Sequence, residues 1–191
     1  MNKQEVFRHL PVLITERLKL RPLTMDDVDD VFAYTSDPEV ARFIRRPLHE
    51  TRADAEAYVR AFVEAHGRGE ASPWGVEHVQ DGKIIGTCGF YYLNEHDARA
   101  EVYYALSRAY WKHGYMTEAV RAVLKYGFNE IGLNRIDGAC WAENTDSAHV
   151  LEKVGMQYEG VWRQFIFVKG AFRDIRWYSI LRQEYPARAN G

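Results

Sequence analysis

The stretch Ala100–Ala119 carries the residues best suited to chemistry in this chain. A predicted strand ends at Leu106, and a helix is predicted to begin near Gly114. The loop between them holds three basic side chains: Arg108, Lys112 and His113. Backbone N–H groups at a helix start attract anions, and glycine lets the backbone approach phosphate without a Cβ clash. The spacing therefore indicates a phosphate-binding turn, although a glycine before a helix is common and by itself decides nothing.

The hydrophobic pattern predicts the strands and helices that would hold this turn. Strand patterns cover Leu13–Leu23, Trp74–Gln80, Lys83–Tyr91, Arg99–Leu106, Arg135–Ala142, Gln157–Val168 and Ala171–Leu181. Helical patterns cover Thr24 to about Ser36, Thr51 to about Arg68, Gly114 to about Ile131, and Thr145–Val154. Asp37-Pro38 is expected to stop the first helix, and Asp81-Gly82 predicts a two-residue hairpin turn. The order β-α-α-β-β-β-α-β-α-β-β predicts an α+β fold with a mixed sheet.

The composition predicts a single cytoplasmic domain, 1–191, with an ordered core of about 10–185 between short tails. The net charge of −2 offers no positive field for nucleic acid. Cys88 and Cys140 lie in buried-strand patterns without a CxxC, which favours reduced core thiols and no metal site. No apolar run or signal peptide suggests a membrane partner. The basic segment Arg42–Arg46 is interpreted as a solvated face.

The chain resembles the GCN5-related N-acetyltransferase (GNAT) superfamily, in particular its RimJ/RimL-type branch, which acetylates ribosomal-protein N-termini. The matching pieces run through the domain: Thr15–Pro22, Ile85–Gly86, Ala100–Val102, Tyr104, Trp111, Gly114–Ala119, Asn144, Ser147, Leu151–Met156, Glu159–Gly160, Arg163, Gly170, Phe172, Asp174 and Tyr178–Leu181. The resemblance implies a mixed, mostly antiparallel sheet with a central splayed parallel strand pair, flanked by about four helices. It also implies acetyl-CoA as the co-substrate and no metal.

The resemblance further assigns the residues that would hold acetyl-CoA. The pantetheine arm would bind backbone groups of Tyr104, Ala105 and Leu106 in the slot between the splayed strands. The pyrophosphate would lie on N–H groups of Lys112, His113, Gly114, Tyr115, Met116 and Thr117. The family usually has glycine where this chain has Lys112 and a small residue where it has Met116. Because Lys112 carries a Cβ, its backbone is expected to keep a negative φ, and its ammonium could reach a phosphate.

The catalytic assignment departs from the commonest family pattern. The tyrosine acid of many members would stand at Leu151, so it is absent. The ribosomal branch is similar to this chain in placing serine three residues after Asn144, and this residue, Ser147, is the candidate proton donor. Asn144 and Ser147 lie on the same side of the predicted helix, so both are expected to face the sulfur and the arm of the co-substrate. Glu101 is the candidate general base, with the alternative that it only orients the acceptor ammonium or pairs with an arginine. The branch often has a second acidic residue where this chain has Ile166.

The acceptor is left open by the sequence. The leading hypothesis is the N-terminal amine of a protein or peptide, and the second is a small amine such as a polyamine, an amino acid or an aminoglycoside-like antibiotic. A third is a catalytically silent acyl-CoA-binding module. The protein could act as a monomer or a homodimer. Candidate walls of the acceptor site are the aromatics Trp74, Tyr91, Trp162, Phe165 and Phe172.

Overall fold

The computed structural model describes residues 7–185. The C-terminal tail predicted after residue 185, and the first six residues of the N-terminal one, lie outside that range. Within it, Phe7 and Leu10 are 2% and 8% exposed and belong to the main hydrophobic core. Two apolar side chains of the segment that was expected to be a tail are thus buried in the core.

Eight strands form a single sheet in the order β1-β2-β3-β4-β5-β6-β8-β7. Their bounds are β1 Leu13–Ile14, β2 Leu18–Arg21, β3 Pro73–His78, β4 Lys83–Asn94, β5 Arg99–Leu106, β6 Arg135–Trp141, β7 Gln157–Val168 and β8 Ala171–Leu181. Within residues 7–185, β5 and β6 are the one parallel pair, and the other neighbours are antiparallel. The predicted α+β class and mixed sheet are confirmed.

Five α-helices are present in the described range: α1 Val28–Thr35, α2 Pro38–Ala41, α3 Arg52–Arg68, α4 Tyr115–Tyr126 and α5 Thr145–Lys153. The helix that the sequence did not predict is α2. The first helix ends before Asp37-Pro38, as predicted. Pro38 in addition occupies the first turn of a new helix, where proline needs no N–H partner. The side chain of Asp37 caps this helix by accepting a hydrogen bond from the N–H of Glu39 at 2.8 Å.

Other boundaries differ from the sequence pattern for local reasons. The predicted strand Leu13–Leu23 is broken into β1 and β2, which pair with each other. The predicted two-residue turn at Asp81-Gly82 is wrong, because His78 pairs with Lys83 and leaves a four-residue loop. A 3₁₀ turn, Met25–Asp27, precedes α1, and a π-helical turn, Gly127–Ile131, follows α4.

Apolar side chains on the two faces of the sheet form two hydrophobic clusters. One contains side chains from α4 and α5, and the other contains side chains from α1 and α3. Ile84 and Ile85 are neighbours on β4 and so point to opposite faces, and each belongs to a different cluster. Helices thus cover both faces of the sheet and hold β5 and β6 between them.

Candidate active site

The parallel pair β5–β6 separates part-way along its length. Hydrogen-bonded register runs from Arg99↔Arg135 to Val102↔Gly138 and then ends, although β5 continues to Leu106 and β6 to Trp141. The separated ends line a cleft of about 640 Å³. Backbone groups of β5 on the side of β6 are left without a strand partner there, so they are available to an extended ligand. The splayed pair expected from the sequence is confirmed.

A β-bulge on the other neighbour of β5 supplies a cleft side chain. Phe90 pairs with Val102 and Tyr92 pairs with Glu101, so Tyr91 has no partner in the register. An extra residue of this kind locally turns a strand and re-aims a side chain. Tyr91 lines the cleft and is 61% exposed.

The loop after β5 enters α4 through two residues of left-handed conformation. Lys112 has a φ of 64° and Gly114, the N-cap, has a φ of 80°. The prediction that Lys112 would keep a negative φ is therefore wrong. A non-glycine residue pays roughly 1–2 kcal/mol for this conformation, and the loop keeps it even though lysine replaces the usual glycine. The first turn of α4, which follows this bend, has free N–H groups, and such a geometry is compatible with the predicted phosphate-binding turn.

Two residues outside the cleft hold this turn in place. The Arg17 guanidinium donates to the carbonyl oxygen of His113 at 3.0 Å and to Glu118 at 2.8 Å, and it lies over the Tyr115 ring at 4.5 Å. Glu118, in the first turn of α4, also accepts from Thr15 at 2.6 Å and from the Arg17 backbone at 2.9 Å. Burial works to raise the pKa of Glu118, but these hydrogen bonds outweigh it and lower the pKa. Sequence reasoning assigned Arg17 and Glu118 no role, because their contact spans about a hundred residues of chain.

The cleft gathers most of the residues that were expected to hold the co-substrate. Its lining includes Tyr104, Ala105, Leu106, Lys112, Gly114, Tyr115, Met116, Thr117, Asn144 and Ser147. His113 does not line it, and its ring instead stacks on Tyr115 with centroids 5.8 Å apart. The carbonyl oxygen of Leu106 is already occupied, because the Trp111 indole donates to it at 2.8 Å. One of the two lone pairs of this oxygen is therefore taken, and the other could still accept a hydrogen bond.

Ser147 lies in the cleft wall at the start of α5, held by two neighbours. The Asn144 side chain caps α5 by accepting from the Ser147 N–H at 3.1 Å. The Tyr104 hydroxyl lies 2.8 Å from Ser147 Oγ and 3.0 Å from the Ser147 carbonyl oxygen. Burial raises the pKa of Tyr104 far above its ordinary value, so this phenol stays protonated. The family resemblance implied a backbone role for Tyr104, and nothing in the sequence indicated this side-chain contact.

Glu101 lies in the same cleft, on the last paired stretch of β5. Burial raises the pKa of its carboxyl, the nearby Arg45 opposes that rise, and Asp137, its register partner on β6, adds to it. A carboxylate with a raised pKa holds a proton more readily than an exposed one, which suits a proton acceptor working near neutral pH. The two predicted catalytic residues thus share one cleft.

Comparison with known proteins identifies the family. Residues 17–157 match the model of the acetyltransferase (GNAT) domain. The uncharacterized N-acetyltransferase p20 of Bacillus licheniformis is 33% identical over 92% of this chain and 99% of its own. A solved GNAT-family acetyltransferase from Bacillus anthracis is 30% identical, with a TM-score of 0.81 over 91% of this chain and 99% of that one. The chain belongs to the GNAT family of N-acetyltransferases.

The fold of this GNAT enzyme also extends to a ribosomal-protein member. The RimL ribosomal alpha-N-protein acetyltransferase, solved in complex with coenzyme A, superposes with a TM-score of 0.80. The match covers 90% of this chain and 98% of that one at 16% identity. At this identity the likeness concerns the fold alone.

The place of the missing tyrosine is occupied by core packing in this GNAT enzyme. Leu151 is fully buried, and its Cδ2 lies 2.6 Å from where a Cβ on Gly138 would stand. That close approach presses α5 onto β6 where β5 and β6 separate. Because residue 151 is leucine, the chain has no phenol at this position to donate a proton. A tyrosine there would have to displace the contact with Gly138.

The acceptor side of the cleft differs from the predicted aromatic walls. Of the five candidates, Tyr91 lines the cleft, whereas Trp74 is a fully buried core residue whose indole donates to the Pro11 carbonyl oxygen at 2.8 Å. The other three, Trp162, Phe165 and Phe172, are exposed on the β7–β8 hairpin and do not line it. The apolar walls are instead Phe43, Trp141 and Ile175.

Across residues 7–185, no helix is both long and apolar enough to cross a membrane. In the same range, no three His, Cys, Asp or Glu side chains are placed to bind one metal ion. Cys88 and Cys140 are buried free thiols, and burial raises the pKa of Cys140, which lines the cleft, to about 11.

Proposed function

We propose that this enzyme transfers the acetyl group of acetyl-CoA to a primary amine, with the N-terminal α-amine of a protein or peptide as acceptor. The observation that carries the proposal is the continuity of one cleft. It runs from the anion-binding turn at Gly114, past the separated end of β5 and Ser147, to Glu101 and an open mouth. A donor thioester entering from one end and an amine from the other would meet between Ser147 and Glu101.

The residues present fit acetyl-CoA on structural grounds. Backbone groups of β5 beyond Val102 have no strand partner on the side of β6, so an extended pantetheine arm could pair with them. The left-handed bend and helix start at Gly114 suit a pyrophosphate, and Lys112 adds a positive charge. Bound there, acetyl-CoA supplies an activated acetyl thioester.

The side chains of this chain would handle the two protons of the reaction. Glu101, once ionised, accepts a proton from the attacking amine at its carboxylate, directly or through a water molecule. Ser147 donates a hydrogen bond and then a proton from Oγ to the departing sulfur. The Tyr104 hydroxyl stays protonated and fixes the Ser147 hydroxyl through their 2.8 Å contact. Ser147 then recovers a proton from water, while Glu101 releases to water the proton that it took from the amine.

An α-amine of a peptide is favoured over a small amine by the shape of the acceptor end. Tyr91 is largely exposed there, and the mouth is bordered by the loop after α2 and by the β7–β8 hairpin, so a chain could leave it. RimL, whose fold this enzyme shares, is described as an alpha-N-protein acetyltransferase. A small amine would use the same catalytic residues and remains the alternative acceptor.

The test is a pair of peptides that differ only at the amine. One begins with a free Ala-Ser N-terminus and contains an internal lysine, and the other has the same sequence with a blocked N-terminus. Mass spectrometry after incubation with acetyl-CoA should show a single acetyl group on the free N-terminus and none on the blocked peptide. Acetylation of spermidine or an aminoglycoside, with both peptides unchanged, would contradict the peptide assignment.

A further inference from the structure

The mouth at the acceptor end of the cleft is bordered by five positively charged side chains. Three come from the loop after α2 and line the cleft itself: Arg42, Arg45 and Arg46. Two come from the β7–β8 hairpin, Lys169 and Arg173, and line an adjoining pocket that shares Arg42, Phe43 and Trp141 with the cleft. The whole chain carries a net charge of −2, so this concentration of positive charge does not follow from composition. The segment that the sequence suggested was merely a solvated face therefore borders the route by which an acceptor would enter.

The two sides of the mouth are joined by direct contacts. Lys169 Nζ donates to the carbonyl oxygen of Ala41 at 2.6 Å, which ties the hairpin to the end of α2. The Arg173 guanidinium lies 5.3 Å from the ring centre of Trp141, and that ring meets Phe43 edge-on at 5.9 Å. Lys169 is thus held beside the opening by a hydrogen bond, and Arg173 is held there by packing on Trp141.

Acidic side chains neutralise this mouth only in part. Glu39 lies 4.0 Å from Arg42, and Glu143 lies 3.5 Å from Arg173. Among residues 7–185, neither Arg45 nor Arg46 has a carboxylate oxygen within 4.0 Å of a side-chain nitrogen. The five cations outnumber the carboxylates that face them, which are Glu39, Glu143 and, deeper in the cleft, Glu101. The entrance is therefore net positive, which would repel a polyamine or an aminoglycoside.

Two buried guanidinium nitrogens at the mouth have no acceptor in the described structure. They are Arg46 Nε and Arg173 Nε. Arg46 is otherwise engaged, through a contact of 2.9 Å with His49 Nε2 and by lying over the Tyr58 ring. Burial and the nearby Arg46 both lower the pKa of Lys169. Buried donors without acceptors are costly, and a carboxylate supplied by a ligand would satisfy them.

We infer that the preferred acceptor is an acidic N-terminal segment, that is, a free α-amine followed within a few residues by Asp or Glu side chains. The amine would reach Glu101, while the carboxylates would pair with Arg42, Arg45 and Arg46. This inference rests on the proposed peptide acetyltransferase function and narrows it. The contacts at Arg42 and Arg46 would act mainly on encounter and on KM. Arg45 also lowers the pKa of Glu101, so its removal could change kcat, and the test therefore compares peptides within one variant.

The experiment uses three peptides with one N-terminal Ala-Ser and either acidic, neutral or basic residues at positions three to six. At low ionic strength kcat/KM for the acidic peptide should exceed that for the basic one by about tenfold or more, and the ratio should shrink as salt is added. In the double variant Arg42→Glu with Arg45→Glu, the preference should disappear or reverse while KM for acetyl-CoA stays the same. Lys125→Glu, an exposed charge reversal on α4 outside the cleft, is the matched control and should keep the preference.

The outcomes separate this inference from the function on which it rests. Equal kcat/KM for the three peptides would overturn the inference and leave N-terminal acetylation standing. No acetylation of any peptide, with turnover of spermidine, would overturn both. Acetylation of free glutamate with all peptides inert would also overturn the inference, since the acceptor would then be a small acidic amine.

Discussion

Ser147 and Tyr104 meet in the wall of the cleft, where the leaving sulfur is expected. If Ser147 supplies the proton, Ser147→Ala should lower kcat by about 10²-fold or more, with a much smaller change in KM for acetyl-CoA. Tyr104→Phe keeps the ring but removes the hydroxyl 2.8 Å from Ser147 Oγ, so it should lower kcat by a smaller factor. Steady-state kinetics on both variants checks that kcat falls further in Ser147→Ala than in Tyr104→Phe. Unchanged turnover in Ser147→Ala would remove this residue from the mechanism.

Glu101 offers a test at the same scale through pH. Its raised pKa means that ionisation, and with it kcat/KM, should increase with pH through a range above the ordinary carboxyl pKa. In Glu101→Gln, the increase of kcat/KM that comes from ionisation of Glu101 should disappear. Only the increase that comes from deprotonation of the acceptor amine, near pH 8, should remain. If Glu101 only orients the ammonium, the profile of the variant should keep the shape of the wild type at a lower rate.

Because Glu101 is buried, its ionisation should also affect the stability of the fold. Because its folded pKa is raised, the protonated form fits the fold best, and stability is lost as pH rises through the folded pKa. Glu101→Gln should therefore unfold at an equal or higher temperature than the wild type near pH 8. The difference should narrow as pH falls toward 4. Thermal unfolding across this range measures it, and a lower unfolding temperature for the variant at pH 8 would contradict it.

At the scale of elements, the turn from β5 into α4 carries a conformational cost at Lys112. Lys112→Gly and Lys112→Ala both remove the ammonium, but only glycine relieves the left-handed backbone. We expect the glycine variant to be more stable than the alanine variant by about 1 kcal/mol, or roughly 2–4 °C in Tm. Both should weaken acetyl-CoA binding to a similar extent if the ammonium contacts phosphate. Equal Tm values would show that residue 112 does not keep this φ.

The attachment of α4 to the β1–β2 loop should be visible through Glu118. Glu118→Gln should reduce the free energy of unfolding by about 1–3 kcal/mol near neutral pH, because it removes charged hydrogen bonds to Thr15 and Arg17. The folded pKa of Glu118 is lowered, so its contribution is present above the ordinary carboxyl pKa and is lost as pH falls through the folded one. Denaturant unfolding at neutral and acidic pH checks both statements.

The sequence predicted elements best where local chemistry decides them. The bounds of β5, β7 and β8 were predicted as found, since alternation and the Lys169-Gly170 turn specify them. The left-handed Lys112 was mispredicted, because tertiary contacts override a residue's own preference. The cleft walls from Phe43 and Trp141 and the Arg17–Glu118 link were missed because they join distant segments. The splayed pair was expected from family resemblance alone, since no periodicity reveals where two strands separate.

At the scale of the whole molecule, one cleft contains two regions suited to negatively charged ligands. The turn at Gly114, which we propose to bind the co-substrate phosphates, and the arginines, which we propose to face the acceptor, line the same cleft. Both regions depend on the same separation of β5 from β6 beyond Val102. This arrangement explains why a net negative protein could attract a polyanionic co-substrate and an acidic acceptor.

The central claim is that acetyl passes from acetyl-CoA to an amine within this cleft, and release of the coenzyme A thiol measures it most directly. The enzyme is mixed with acetyl-CoA and a peptide with a free Ala-Ser N-terminus, and free thiol is followed with time. We predict release in step with peptide acetylation, little release without an amine or with the blocked peptide, and strong loss in Ser147→Ala. Acetyl-CoA binding without thiol release, for any peptide, polyamine or aminoglycoside offered, would contradict the claim and identify a silent acyl-CoA-binding module.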